Sequence, residues 1–263
     1  MRVVVWNIAN KQGAFDALAA LEPDIALLNE ATPPLAATGI WHGTTVGRDS
    51  KRRPWSVAVL SSHPITEITD ARPSWRGSQR DVPFVCSRPG SWIAASVKVA
   101  PSVQVTAVSL YGLLDEFSDA SVHRSLSELS PLIDDPRYQQ HLLIGGDLNT
   151  WSGWPVREQP TLARDINLLQ RFEAFGLVDC LAAVRPAGRL PDCTCTLGDA
   201  CTHTRTRLDP RFPNIPYQID YLWASSALAP RLSSCQALAT SEWFAISDHA
   251  PIIADFDLST MTD

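Results

Sequence analysis

The chain has 263 residues, 45% hydrophobic and 19% charged, and its 22 Lys plus Arg against 28 Asp plus Glu leave a net charge of −6. That length and apolar content support a buried core without disulfide or metal staples and exclude a disordered, tail-like chain. The acidic balance excludes a protein that coats nucleic acid through bulk positive charge, although a local basic patch or a metal can still recruit a phosphate.

Met1-Arg2 runs straight into Val3-Val4-Val5-Trp6, with no extended apolar leader and no small-residue cleavage site. No stretch approaches the ~20 apolar residues of a membrane span. The expectation is a cytoplasmic, monomeric protein. Residues 2–8 read as a buried strand. Asn10 is placed to cap a helix with Ala14, Phe15, Leu18 and Leu21 on its apolar face, ended by Pro23. Residues 24–29, 55–61, 91–99 and 104–110 read as further strands. Ser118 or Asp119 then caps a helix carrying Val122, Leu126, Leu129 and Ile133, which ends before Pro136. Residues 141–145 are a short buried strand. Thr161 opens a helix with Leu162, Ile166, Leu169, Phe172 and Phe175, closed by Gly176. Residues 218–225, 233–240 and 252–257 are late strands. Two stretches, 72–89 and 185–216, read as long loops without linker composition. One α/β domain with mixed sheets over residues 1–263 is expected, with a Cys/His loop at about 190–216.

Acidic and amide side chains recur at the ends of these strands. Asn7 ends the first, Glu30 the second, and Asp147 and Asn149 close Gly145-Gly146-Asp147-Leu148-Asn149. Asp220 lies in Ile219-Asp220-Tyr221, and Asp248 and His249 lie in Ser247-Asp248-His249. Strand ends are where α/β folds build ligand sites. Carboxylate and amide oxygens suit a hard cation such as Mg²⁺. A histidine beside a carboxylate supplies a general acid or base. Each piece alone is ordinary turn chemistry; the joint pattern carries the signal.

That pattern resembles the endonuclease/exonuclease/phosphatase superfamily of DNase I-like enzymes. The matching pieces are Trp6-Asn7-Ile8, Asn29-Glu30, Ser109-Leu110-Tyr111, Gly146-Asp147-Leu148-Asn149, Ile219-Asp220-Tyr221 and Ser247-Asp248-His249, in the family's order. The resemblance implies a four-layer α/β/β/α sandwich of two packed mixed β-sheets flanked by helices. It implies Mg²⁺ or Mn²⁺ held by Glu30, with Asn7 and Asp248 close by. It implies that Asp147 and Asn149 position the attacking water and a phosphate oxygen, and that His249 is the catalytic histidine, oriented by Asp220.

Tyr111 stands where secreted DNases and sphingomyelinases of the family carry a histidine. A phenol can bond a phosphate oxygen but is a poor base at neutral pH, so the resemblance implies a single-histidine mechanism. Ala9 stands where AP endonucleases place an aspartate, which argues against a dedicated abasic-site role. Arg72, Arg76, Arg80 and Arg88 interleave with Trp75 and Phe84, and Lys51, Arg52 and Arg53 form a second basic run. Such loops suit phosphate contact and base stacking, or are solvated surface. Trp151 and Trp154 follow Asn149 closely and are candidates to wall a groove.

Cys193, Cys195, Cys201 and His203 could close a tetrahedral structural Zn²⁺ site with no open position for water. Free thiols or a disulfide are the alternatives. The lead functional expectation is a divalent-metal-dependent phosphodiester hydrolase acting as a nuclease on nucleic acid, through an activated water. The alternative is a phosphatase or phosphodiesterase on a phospholipid head group, an inositol phosphate or a sugar phosphate. A catalytically idle scaffold is argued against by the full set of acid, amide and histidine residues.

Overall fold

The computed structural model describes residues 1–41, 53–72, 80–113, 120–152, 159–185, 188, 190, 193, 195 and 198–259. In chain order the elements are β1 (Arg2–Asn7), α1 (Ala14–Ala20), β2 (Ile25–Ala31), β3 (Gly39–Trp41), β4 (Ser56–Ser61), β5 (Ile65–Glu67), β6 (Asp70–Ala71) and β7 (Val82–Pro83). Then come β8 (Trp92–Lys98), β9 (Gln104–Leu110), α2 (Ala120–Ile133), β10 (Leu142–Asp147), α3 (Gln159–Ala174), β11 (Leu177–Asp179) and α4 (Cys180–Val184). β12 (Asp220–Ser225), β13 (Leu232–Ala237), α5 (Ser241–Phe244) and β14 (Ile252–Phe256) complete the order.

Two six-stranded sheets result, ordered β13-β14-β1-β2-β4-β3 and β11-β12-β10-β9-β8-β5. Both are mixed, because β1–β2 and β9–β10 run parallel while their other pairings are antiparallel. Alternation assigns the faces. Val3, Val5, Ile25 and Leu27 meet Ala107, Leu143, Leu222 and Ala224 between the sheets. Val4, Trp6, Ala26 and Leu28 turn outward under Ala14 and Leu18 of α1, with Trp243 of α5 packed edge-on to Trp6. On the other side Val108, Ile144 and Trp223 pack under Leu126 and Leu129 of α2 and Phe172 of α3. The layers are therefore helix, sheet, sheet, helix, as the resemblance implies.

The sheets approach closely at Gly145, where an added Cβ would lie 2.7 Å from Val5 Cγ2 and 2.9 Å from Leu27 Cδ1. Gly146 has φ of +150°, and a Cβ there would sit 1.8 Å from the Leu110 carbonyl oxygen. This glycine pair brings the end of β10 down against the end of β2.

Three expectations are corrected. Asn10 does not cap α1: it sits at φ +55°, its N–H donates to the Glu30 carbonyl at 2.8 Å, and Gly13 is the N-cap. The apolar face of α3 is rotated from the expected one. Asp165, Leu168 and Phe172 are buried while Ile166 is exposed, because Phe172 stacks on Trp223 with centroids 4.9 Å apart. The segment 72–89 is in part an internal network. Arg72 pairs with Asp81, its N–H and Arg137 both bond Asp135, and Phe84 packs edge-on to Trp92. Ser118, Asp119, Trp75 and Arg76 lie outside the described residues, as do Lys51, Arg52 and Trp154, and the side chain of Thr161 is not described. Among the described residues no helix is long and apolar enough to cross a membrane.

Candidate active site

Two register pairs place the site. Asn7 faces Asn29 across β1–β2, and Asp147 faces Asp220 across β10–β12. Each pair lies at one end of its strands, and the two ends meet across the sandwich.

Asn29 joins them. Its amide oxygen accepts from the Asp147 N–H at 2.6 Å, and its Nδ2 donates to Ser109 Oγ at 3.2 Å. Ser109 in turn donates to the Leu28 carbonyl. The β2–β4 register shifts between Leu28 and Ala31, so one extra residue bulges there. The bulge lets Asn29 turn inward while Glu30, at φ +47°, turns to the site. A non-glycine residue in this region is strained, and such strain concentrates at functional sites.

Asn7 donates to Asp147 Oδ2 at 3.0 Å and to Glu30 Oε1 at 3.4 Å, while its own oxygen accepts from the Ala9 N–H at 3.0 Å. Tyr111, buried, donates to Glu30 Oε1 at 2.6 Å. Burial and the charges of Glu30 and Asp147 hold its phenol well above the usual range, so it stays a proton donor. Tyr111 therefore faces Glu30 as a hydrogen-bond donor.

Asn149 takes φ +49°, which an amide side chain tolerates better than most. Its Nδ2 donates to the Gly112 carbonyl at 2.8 Å and to Asp147 Oδ2 at 3.3 Å. Asp147 Oδ1 accepts from the Asn149 N–H at 2.8 Å. Asp147 is buried, and burial with the nearby Asp220 charge pushes its carboxyl up to about 7.

His249 Nδ1 lies 3.0 and 2.9 Å from the two oxygens of Asp220, and its Nε2 lies 3.8 Å from Asp147 Oδ2. Burial pulls the imidazole down, but Asp220 and Asp147 outweigh it and raise it to about 9. With Asp220 holding Nδ1–H, Nε2 is the nitrogen turned toward Asp147. Thr206 Oγ1 accepts from the Ile219 and Asp220 N–H groups, each at 3.1 Å, which fixes the entry into β12. On the opposite side Trp6 Nε1 donates to the His249 carbonyl at 2.8 Å, and Ser247 Oγ donates to the Asn7 carbonyl at 2.8 Å.

Asp248 is placed differently from the rest. Its carboxylate lies 3.5 Å from Arg207 Nε, and Arg207 bridges by backbone to His249 and Tyr217. Among the described residues, acids and histidines converge with metal-ligand spacing in two groups, Asp147-Asp220-His249 and Cys193-Cys195-Cys201-His203. Glu30 and Asp248 fall in neither. In the first group Asp220 turns both oxygens to His249 Nδ1. The sequence reading overlooked Asn29, Thr206, Arg207 and Ser247 as working parts. Asn29, Ser109 and Ser247 stand inside the recognised motifs, whereas Thr206 and Arg207 lie in a loop with no motif. Trp151 is buried against Tyr217 and Ile219 and walls no groove.

The chemistry of the donor set fits a divalent cation. Glu30 Oε1 takes bonds from Asn7 and Tyr111, and Asp147, Asp220 and His249 converge with ligand spacing, an oxygen-rich set of the kind a hard cation takes.

The model of the endonuclease/exonuclease/phosphatase family matches residues 4–249. No curated protein matches the chain in sequence. Among solved structures, a 3'-5' exonuclease from Neisseria meningitidis is similar at 19% identity, covering 98% of this chain and 100% of that one, with TM-score 0.62. An AP endonuclease from Archaeoglobus fulgidus is similar at 18% identity, covering 98% and 99%, with TM-score 0.60. The endonuclease domain of TRAS1, a telomere-specific retrotransposon, is similar at 17% identity, covering 98% and 99%, with TM-score 0.60. These likenesses establish the DNase I-like sandwich, and the family match adds the chemistry. The chain belongs to the endonuclease/exonuclease/phosphatase family.

Proposed function

We propose that this phosphoester hydrolase is a divalent-metal-dependent nuclease that cleaves phosphodiesters with an activated water. The observation that carries the reading is the buried His249–Asp220 pair facing Asp147 across 3.8 Å, with Asn7 and Asn149 bonded to the same Asp147 oxygen. Glu30 would hold Mg²⁺ or Mn²⁺, with Asn7 and Asp248 as neighbours. When bound, the ion neutralises the phosphoryl oxygens and makes the phosphorus more electrophilic.

The chain's own residues supply the rest. Asp147, raised toward neutrality, orients the water and accepts its proton. His249 Nε2 stands across from it and donates to the oxygens on which charge accumulates. Asp220 keeps that nitrogen aimed. The weaker 3.3 Å bond from Asn149 to Asp147 is the one that can be exchanged for a phosphate oxygen. Tyr111 and Asn7 hold Glu30 at the angle its ligand role needs. Arg207 adds a cation at the rim.

A second reading, hydrolysis of a small phosphate ester, is favoured by the net charge of −6. The similar solved proteins support a nucleic-acid substrate: they include a 3'-5' exonuclease, an AP endonuclease and a 3' phosphatase bound to a DNA hairpin. The test is a panel with Mg²⁺ and Mn²⁺: single- and double-stranded DNA, RNA, an abasic duplex, an inositol phosphate and a sphingolipid. Cleavage of an oligonucleotide, lowered about 10³-fold or more by His249→Ala, supports the nuclease. Turnover of the inositol phosphate alone selects the second reading, and nuclease activity unchanged in His249→Ala overturns the site.

A further inference from the structure

We propose that Cys193, Cys195, Cys201 and His203 hold a structural zinc ion that fixes two walls of the active site. All four side chains are buried, and their ligand atoms lie within 4.8 Å of one another. A tetrahedral ion with Zn–S of ~2.3 Å and Zn–N of ~2.05 Å requires about 3.8 Å between sulfurs and about 3.5 Å from sulfur to nitrogen. Cys193 and Cys201 Sγ are 3.7 Å apart, and each is 3.5 Å from His203 Nδ1. A disulfide needs ~2.05 Å, far shorter than the 3.7 Å between the Cys193 and Cys201 sulfurs.

The surroundings agree. The three cysteines and half-buried Leu190 form a cluster of their own, apart from the sheet cores. Within the described part of this loop the one helical turn is Gly198–Ala200. A segment with so little apolar material gains its order from a metal. Arg185 donates to the Cys201 and Gly188 carbonyls and sets a positive charge beside a centre that would carry one net negative charge. Loading displaces three thiol protons to solvent, leaving three thiolates and a neutral imidazole.

His203 links this centre to the site. Its Nδ1 faces the sulfurs while its Nε2 lies 3.0 Å from Ser152 Oγ, and its ring meets Trp151 edge-on at 5.8 Å. Trp151 follows Asn149 by two residues. In the other direction, the Thr204 N–H donates to Gln218 Oε1 at 2.8 Å, and Thr206 holds Asp220. One ion thus braces the Asn149 turn and the entry to β12 together. The metal assignment stands apart from the substrate reading; the bracing rests on Asn149 and Asp220 belonging to the site.

The test uses the full chain expressed with zinc and exchanged into chelator-free buffer. Elemental analysis should return about one zinc per chain. Cobalt exchange should give the intense visible absorption of tetrahedral thiolate ligation. Cys201→Ser and His203→Ala should lose most of the metal while Cys235→Ser keeps it. A wild-type chain with neither zinc nor the cobalt absorption, or full zinc in Cys201→Ser, overturns the site. The bracing is read on wild-type protein stripped with a thiol-directed mercurial, which separates it from any folding defect of the variants. Amide exchange should rise at residues 149–152 and 204–220 and stay unchanged in β8. Unchanged exchange at both segments with the zinc gone overturns the bracing, and neither readout depends on which phosphoester is cleaved.

Discussion

Asp220 meets His249 Nδ1 with both oxygens, so one atom exchange tests the pair. In Asp220→Asn the amide can donate to Nδ1 and turn the imidazole to the wrong tautomer. We expect kcat to fall about 10²–10⁴-fold with KM little changed, measured by steady-state kinetics on the best panel substrate. Tyr111→Phe removes only the 2.6 Å bond onto Glu30. Its signature is different: the Mg²⁺ or Mn²⁺ concentration for half-maximal activity should rise about 10-fold or more. An unchanged metal requirement would show that Glu30 needs no such support.

At the scale of elements, the glycine pair of β10 sets how closely the sheets meet. Gly146→Ala must move the Leu110 carbonyl and adopt a positive φ, so we expect about 2–4 kcal/mol of lost stability by denaturant unfolding. The turn after α2 carries a different load. Asp135 is buried and accepts from the Arg72 and Arg137 N–H groups and the Arg137 guanidinium, which also reaches Asp81. Burial alone would raise its carboxyl; these bonds outweigh it and hold it below 3.8. A depressed acid stabilises fully above its unfolded pKa and loses that contribution as pH falls through the folded value. The melting temperature of wild type should therefore drop more steeply below about pH 4 than that of Asp135→Asn, measured by calorimetry. The same scale explains what the sequence could reveal. Gln104–Leu110 is read to the residue because a Val/Thr run buried on both faces has no competing period. β3, β5 and β11 have three residues each, too few to display alternation. Asn10 misleads because its backbone is taken by Glu30, a partner no local window contains.

For the whole molecule, the acids, amides and histidine of the site are legible because their motifs surround them with apolar strand residues. The bonds that make them a site are not legible. Asn29 to Asp147 depends on how two sheets stack, and Thr206 to Asp220 on how the loop before β12 folds back on that strand; a single chain read locally holds no signal of either. The Cys/His cluster is legible for the opposite reason: its ligands lie within eleven residues of one another, so spacing alone suggests it.

β1 runs between β2 and β14, and its Trp6 bonds the carbonyl of His249, 243 residues away along the chain. The consequence concerns birth, not turnover. On a ribosome adding about 5–20 residues per second, the first half of the dyad's surroundings waits on the order of 10–50 s for the second. Throughout that interval the emerging polypeptide lacks His249, the partner of both Trp6 and Asp220. The site is therefore completed only when β14 docks beside β1.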